Sequence, residues 1–276
     1  MQQSEKASNT IKFLLAYYGA IFLWWLFLFF TNSVNSLSNY LFAFCFGLIP
    51  IFGGVFGIFN SNKWGSVKSL LGKGLLFLSL GLITWGIGQV IFSYYNLFLA
   101  VEVPYPSLAD ASFILSWPLW GIGMFYLSKV TGAKFSLRTW GGKSVFFGVP
   151  LVIIALSYYL LIIVARDGVL ASSDEYLKLF FDLAYPIGSV VLLTASALVY
   201  SLSFNYLGGK FKTAIYIILI GFVVNYIADF SFSYTTTIET FFSANWVDFI
   251  FATAMFTLSL GVAMLSLRTK DSIENI

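Results

Sequence analysis

The chain has 276 residues, of which 59% are hydrophobic and 10% are charged, with a net charge of +3. Soluble domains have about 25% charged residues, so this composition is typical of a protein whose solvent is lipid. Histidine is absent and Cys45 is the single cysteine. These absences exclude an intramolecular disulfide, a cysteine metal cage, haem ligation by histidine and any Ser–His–Asp or Cys–His mechanism.

Eight apolar segments are long enough to cross a bilayer, because about 20 apolar residues cover the hydrocarbon core as a helix. The first is too long for the apolar region of a signal peptide and has no small-residue cleavage site, so we interpret it as a retained signal anchor. The predicted fold is an all-α integral membrane protein with eight transmembrane helices and two short tails, residues 1–11 and 268–276. The predicted spans are approximately 12–31, 38–60, 71–97, 109–129, 144–165, 176–203, 211–236 and 242–267.

Basic residues alternate between the two ends of the predicted spans. Of the 15 lysines and arginines, 13 fall on one side, and only Arg166 and Lys178 fall on the other. The positive-inside rule then places both termini in the cytoplasm, with the lipid bilayer of the cell membrane as the surrounding partner. The basic loops are too short for nucleic-acid recognition, so we predict no nucleic-acid partner.

The two halves of the chain share a sequence pattern. Residues 81–95 (GLITWGIGQVIFSYY) match residues 221–235 (GFVVNYIADFSFSYT) without gaps, and Gln89 then aligns with Asp229. The match indicates a duplication into two parallel four-helix repeats, since four spans return the chain to its starting side. Chance similarity between two glycine- and phenylalanine-rich helices is the alternative. The predicted repeats are residues 12–130 and 144–267.

Several polar side chains fall in one layer near the outer ends of the predicted spans. A carboxylate inside a span costs roughly 2.5–3.5 kcal/mol, so it needs a partner, a proton or a wet cavity. Aspartates at the start of a span have a second explanation, because they can cap the helix. We predict an outward-facing acidic and aromatic pocket for a cationic or polyhydroxylated small molecule. Its predicted ligand-binding residues are Gln89, Tyr94, Asp110, Asp182, Tyr185, Asn225, Asp229 and Asp248.

Residues 85–123 contain the motif PYPSLAD (Pro104–Asp110) between two apolar helices. This segment resembles the multi-spanning input modules that precede diguanylate cyclase and phosphodiesterase domains in bacterial signalling proteins. The resemblance continues at residues 184–188 (AYPIG), where the family tends to have an aspartate next and this chain has Ser189. It implies a sensing role and a signalling partner in the cytoplasm or membrane. It assigns no ligand or cofactor.

Only about nine residues follow the last predicted span, and they contain no output domain. The resemblance therefore implies either a stand-alone relative that signals through a partner or the membrane module of a longer protein. The leading functional hypothesis is a sensor or ligand-binding module. The alternatives are a small transporter or channel for a cationic solute, and a structural subunit or lipid-acting enzyme of a membrane complex. No complete catalytic signature is present, which makes an enzyme the weaker hypothesis, and the cofactor is unknown.

Overall fold

The computed structural model describes residues 2–169, 176–204 and 212–265, with side chains described from residue 9 onward. Eight long helices account for most of this part of the chain, and none of it forms a strand. The third and fifth helices continue into π-helical turns, Tyr95–Leu99 and Tyr158–Val164. The helices are α1 (Gln2–Phe30), α2 (Leu37–Lys63), α3 (Leu70–Tyr94), α4 (Leu108–Val130), α5 (Trp140–Ser157), α6 (Tyr176–Ser203), α7 (Lys212–Thr237) and α8 (Trp246–Met264).

Each of these eight helices, counted over the described residues, is long and apolar enough to cross a membrane. The prediction of an all-α, multi-pass membrane protein is therefore confirmed. The start of the last span was predicted at residue 242, whereas α8 begins at Trp246. The reason is local: Asn245 is the N-cap, and its Oδ1 accepts hydrogen bonds from the backbone N–H groups of Val247 and Asp248. Residues 266–267 of the predicted span and the predicted tail 268–276 lie outside the described residues.

The core lies where α2, α3, α4, α7 and α8 meet. α3 packs between α2 and α4, and α8 packs against both α7 and α2. The largest fully buried side chains at these contacts include Trp120, Phe42, Phe46 and Phe222. α1 and α5 lie at the periphery, with most of their residues facing outward, as expected for helices that contact lipid. α6 contacts α4, α5 and α7, so its packing on α4 joins the two halves of the chain in addition to the packing of α8 on α2.

Glycines allow close helix crossings at matched positions in the two halves. A Cβ at Gly81 of α3 would meet the indole of Trp120 on α4, and a Cβ at Gly221 of α7 would meet Leu258 on α8. The sequence match pairs Gly81 with Gly221, so the α3–α4 and α7–α8 crossings use the same register. The internal repeat stays a prediction, and these matched crossings support it. The same two helix pairs cross closely at a second glycine each, with Gly123 of α4 against Leu78 and Gly261 of α8 against Ile218.

Candidate functional site

Two tyrosine–aspartate hydrogen bonds join α6 to the segment that opens α4. The Oη of Tyr105, in the loop before α4, donates to Oδ1 of Asp182 on α6 at 2.7 Å. In return, the Oη of Tyr185 on α6 donates to Oδ1 of Asp110 on α4 at 2.6 Å. Each side provides one tyrosine and one aspartate, and we call these four residues the tyrosine–aspartate clasp. Hydrogen bonds to a carboxylate are shorter and stronger than neutral ones.

The local sequence fixes the α4 side of the clasp. Ser107 is the N-cap of α4 and forms a capping box with Asp110. Oδ2 of Asp110 accepts from the backbone N of Ser107 at 2.7 Å and from its Oγ at 2.9 Å, which leaves Oδ1 for Tyr185. Pro104 and Pro106 restrict the backbone on both sides of Tyr105, and the Tyr105–Pro106 peptide bond is cis. The PYPSLAD motif therefore provides both the cap of α4 and half of the clasp.

Helix periodicity and ring packing fix the α6 side. Asp182 and Tyr185 are three residues apart, so both side chains lie on one face of α6. The ring of Tyr185 packs edge-on against Trp117 of α4, with centroids 5.1 Å apart and planes at 83°. One turn inward, Gly188 has no side chain, and a Cβ there would clash with the same indole. α4 and α6 therefore approach closely just below the clasp.

Arg166, at the end of the fifth span, provides positive charge beside the clasp. Its Nη1 donates to the backbone carbonyl of Asp182 at 2.8 Å, and its Nε donates to Oγ of Ser233 on α7 at 3.2 Å. The arginine thus contacts both α6 and α7 at the same end of the bundle. The side chain of Asp182 is only 6% exposed, and nearby positive charge lowers the cost of burying a carboxylate.

Tyr105 is held in its neutral form. Burial raises the pKa of Tyr105 well above its usual value, the hydrogen bond to Asp182 and the negative charges of Asp182 and Asp110 raise it further, and Arg166 opposes them. The hydroxyl of Tyr105 is therefore a donor at neutral pH.

A second group of polar side chains lies one turn further into the bundle. Oδ2 of Asp229 on α7 accepts from Oγ of Ser189 at 2.8 Å and from Nδ2 of Asn225 at 3.0 Å. Oγ of Ser189 is also 3.1 Å from the backbone carbonyl of Tyr185, so this group connects to the clasp through α6. We call Ser189, Asn225 and Asp229 the Asp229 group.

The structure brings together five of the eight predicted ligand-binding residues and places the other three elsewhere. Gln89 donates to the backbone carbonyl of Ala43 on α2 at 3.4 Å. Tyr94 is 48% exposed and its ring stacks on Phe98. Asp248 accepts from the backbone N of Ala244 at 2.7 Å, at the start of α8. The five residues that meet are Asp110, Asp182, Tyr185, Asn225 and Asp229.

We call the clasp, Arg166 and the Asp229 group together the polar cluster. Three of its members were not among the predicted site residues: Tyr105, Arg166 and Ser189. Tyr105 lies inside the PYPSLAD motif, so the motif itself was the available indication. Ser189 stands where the resembling family tends to have an aspartate, and its hydroxyl bonds to a carboxylate on a different helix. Arg166 was visible as one of two basic residues on the outer side, but its bonds depend on how the helix ends meet.

A separate pocket of about 170 Å³ lies between the α1–α2 and α7–α8 loops. None of the eight predicted ligand-binding residues lines it. Within residues 2–169, 176–204 and 212–265, no group of three or more histidine, cysteine, aspartate or glutamate side chains is arranged to hold a metal ion. The pocket is lined by Leu28, Phe29, Asn32, Ser33, Val34, Phe242, Ala244, Asn245 and Trp246.

The fold and this cluster define a multi-pass, all-α membrane protein with a carboxylate-rich polar cluster at one end of its helix bundle. Comparisons with protein-family models, curated proteins and solved structures found no match.

Proposed function

We propose that this protein is a membrane-embedded sensor that binds a small molecule at the tyrosine–aspartate clasp. The observation that supports this proposal best is that α4 and α6 are linked at both ends. The clasp joins them where α4 begins, and Oγ of Ser203 donates to Oγ1 of Thr131 at 2.6 Å beyond the end of α4. Both of these hydroxyl side chains are buried. A change at the clasp therefore has a direct route along one helix pair to the opposite end of the bundle.

The chemistry of the cluster favours a ligand that donates hydrogen bonds. Asp110 and Asp182 place two carboxylates at the clasp, with Arg166 beside them. Ammonium and hydroxyl groups are the donors that carboxylates bind well. A cationic or polyhydroxylated molecule can therefore replace the tyrosine hydroxyls as the partner of Asp110 or Asp182.

Sensing requires two arrangements of the helices that a ligand binds unequally. In one arrangement the clasp holds the start of α4 against α6, as the described contacts do. A ligand that displaces Tyr105 or Tyr185 frees that end of α4. The Trp117–Gly188 contact then serves as the pivot about which α4 and α6 rotate relative to each other. The Ser203–Thr131 contact then changes, and a partner at that end detects the change.

The charge distribution supports an orientation with the clasp outside the cell. Eight of the described basic residues, besides Lys12 at the start of the first span, lie near the opposite ends of the helices, which the positive-inside rule assigns to the cytoplasm. An even number of spans returns the chain to the side on which it began, so both termini are cytoplasmic in a cell membrane. The resemblance to bacterial input modules agrees with a sensing role. The eight residues are Lys63, Lys68, Lys73, Lys129, Lys134, Arg138, Lys143 and Lys212.

The test is the thermal stability of the detergent-purified protein against a panel of metal cations, polyamines, sugars and lipids. We expect one class of cationic or polyhydroxylated compound to raise the Tm by several degrees. Asp182→Asn should abolish this increase, because it weakens the acceptor at the clasp. Asp248→Asn is the matched control, since this buried aspartate lies outside the clasp, and it should keep the full increase. An equal increase in both variants would place the binding site elsewhere.

A further inference from the structure

We propose that Asp229 is a proton-binding site that carries its proton at neutral pH. The first observation is the hydrogen-bond inventory of the Asp229 group. The described donors to Asp229 are a serine hydroxyl and an asparagine amide, which are both neutral. A carboxylate inside a spanning helix needs a positive partner, a proton or water to offset its burial.

The second observation is an acceptor without a donor. If Asp229 is ionised, only Nδ2 of Asn225 can donate to it, and the 3.0 Å contact then fixes the orientation of the amide. In that case Oδ1 is a buried acceptor with no hydrogen-bond partner among the described residues, and Asn225 is only 3% exposed. A buried acceptor without a donor is rare in proteins and calls for an explanation.

The third observation concerns Ser189, which has one hydroxyl hydrogen and two acceptors within reach. Its Oγ is 2.8 Å from Oδ2 of Asp229 and 3.1 Å from the backbone carbonyl of Tyr185. Two acceptors in and beside the Asp229 group therefore lack a hydrogen. One is Oδ1 of Asn225, and the other is one of the two acceptors that share the hydroxyl hydrogen of Ser189. A proton on the carboxyl provides one more donor and removes one acceptor, and it needs no additional space in a packed helix interface.

The neighbouring titratable groups do not provide the missing donor in their described contacts. Tyr185 on α6 gives its hydroxyl hydrogen to Asp110, and Tyr226 on α7 gives its own to Ser157 at 2.8 Å. Both tyrosines are close enough to Asp229 to interact with its charge. The remaining charged groups of the cluster are Asp110, Asp182 and Arg166, and the described bonds of Arg166 go to the carbonyl of Asp182 and to Ser233.

The consequence is a dependence on external pH that needs no ligand at the clasp, so the inference does not rest on the proposed function. Loss of the proton puts a negative charge on Asp229, and its described partners Asn225 and Ser189 are neutral and cannot offset that charge. The group then separates or recruits a positive partner. Since Ser189 joins Asp229 to the helix that forms the clasp, deprotonation changes the packing of α6 against α7.

Infrared spectroscopy of the protein in lipid vesicles tests the proposal, because a protonated carboxylic acid has a carbonyl band that a carboxylate lacks. At neutral pH in sodium-free buffer, we expect the wild-type spectrum to contain such a band, shifted by deuterium oxide, that is missing from the spectrum of Asp229→Asn. Asp110→Asn is the matched control. Asp110 accepts three described hydrogen bonds, so its replacement should leave the band in place.

Titration of the wild-type protein to higher pH provides a second measurement that does not depend on a variant. The band should disappear in a single one-proton step and return on acidification. Identical carbonyl regions in the wild type and in a folded Asp229→Asn would overturn the proposal. So would a wild-type spectrum without the band together with a Tm that rises with sodium but not with choline, because the positive partner would then be a metal cation.

Discussion

Tyr105 and Asp182 are 77 residues apart in the chain, yet the hydroxyl of the first lies 2.7 Å from the carboxylate of the second. The bond ties the loop before α4 to α6 and is matched by a second bond in the opposite sense, from Tyr185 to Asp110. The two bonds join the predicted first repeat to the predicted second one. They give the PYPSLAD motif a physical role, which is to fix how the two halves meet.

The two bonds of the clasp should stabilise the protein cooperatively. Tyr105→Phe and Tyr185→Phe each remove a hydrogen bond to a carboxylate, which corresponds to about 1.5–3 kcal/mol of unfolding free energy. Because both bonds hold the same pair of segments, the double variant should depart from additivity by about 0.5–3 kcal/mol. Denaturant unfolding in detergent measures the cycle. Tyr94→Phe is the control, since this exposed tyrosine lies outside the clasp and should change stability by less than about 0.5 kcal/mol.

Alkaline pH should weaken the clasp through Tyr105. Its pKa is raised in the folded protein, so the stability that it contributes is fully present below the unfolded value of about 10. This stability is lost as the pH rises from that value through the folded pKa, because the unfolded chain releases the proton first. The Tm of the wild type, followed upward from pH 8, should fall more steeply than that of Tyr105→Phe. Parallel curves for the two proteins would contradict this prediction.

Glycine at the helix crossings should be required for packing. A Cβ at Gly221 would lie 2.7 Å from Cγ of Leu258, and a Cβ at Gly81 would meet the Trp120 indole. Gly221→Ala and Gly81→Ala should therefore each lower stability by about 1–3 kcal/mol, the usual cost of overpacking. Gly121→Ala is the control in a spanning helix, because a Cβ there has no atom within 4 Å. It should leave stability equal or higher, since alanine is the better helix former.

The cap of α8 should depend on an oxygen acceptor at position 245. Asn245→Ala removes the acceptor for two backbone N–H groups, so it should lower stability by about 0.5–2 kcal/mol. Asn245→Ser keeps an oxygen acceptor and also removes Nδ2, a buried donor that has no partner among the described residues. The serine variant should therefore be clearly more stable than the alanine variant in the same thermal unfolding assay. Equal Tm values for the two variants would show that capping is not what this side chain contributes.

The number and approximate position of the helices could be predicted from the sequence because lipid imposes a simple requirement. Each crossing needs about 20 apolar residues, and polar residues interrupt the chain only where it leaves the hydrocarbon. The sixth predicted span, 176–203, coincides with α6, Tyr176–Ser203. The start of α8 was missed by four residues because hydropathy does not register an N-cap: the apolar pair Phe241–Phe242 lies before the cap at Asn245.

The polar layer was predicted as a single pocket, and the structure divides it. Depth along the membrane normal follows from sequence, which is why Gln89, Asp182 and Asp248 were all placed in one layer. The direction in which each side chain faces depends on how its helix is rotated and which neighbour it packs against. Gln89 faces α2 and Asp248 folds back onto its own helix start, whereas Asp182 faces the loop before α4.

The class of this protein, its eight helices and the charge asymmetry of their ends could be predicted from the sequence, since they follow from composition and from the cost of polar groups in hydrocarbon. Tertiary structure alone decided that Tyr105 meets Asp182, that Tyr185 meets Asp110, and that Ser189 meets Asp229. The physical reason is that hydrogen bonds act over about 3 Å. Contacts between residues 40 to 77 positions apart exist only once the close approach of α4, α6 and α7 has fixed the rotation of each helix.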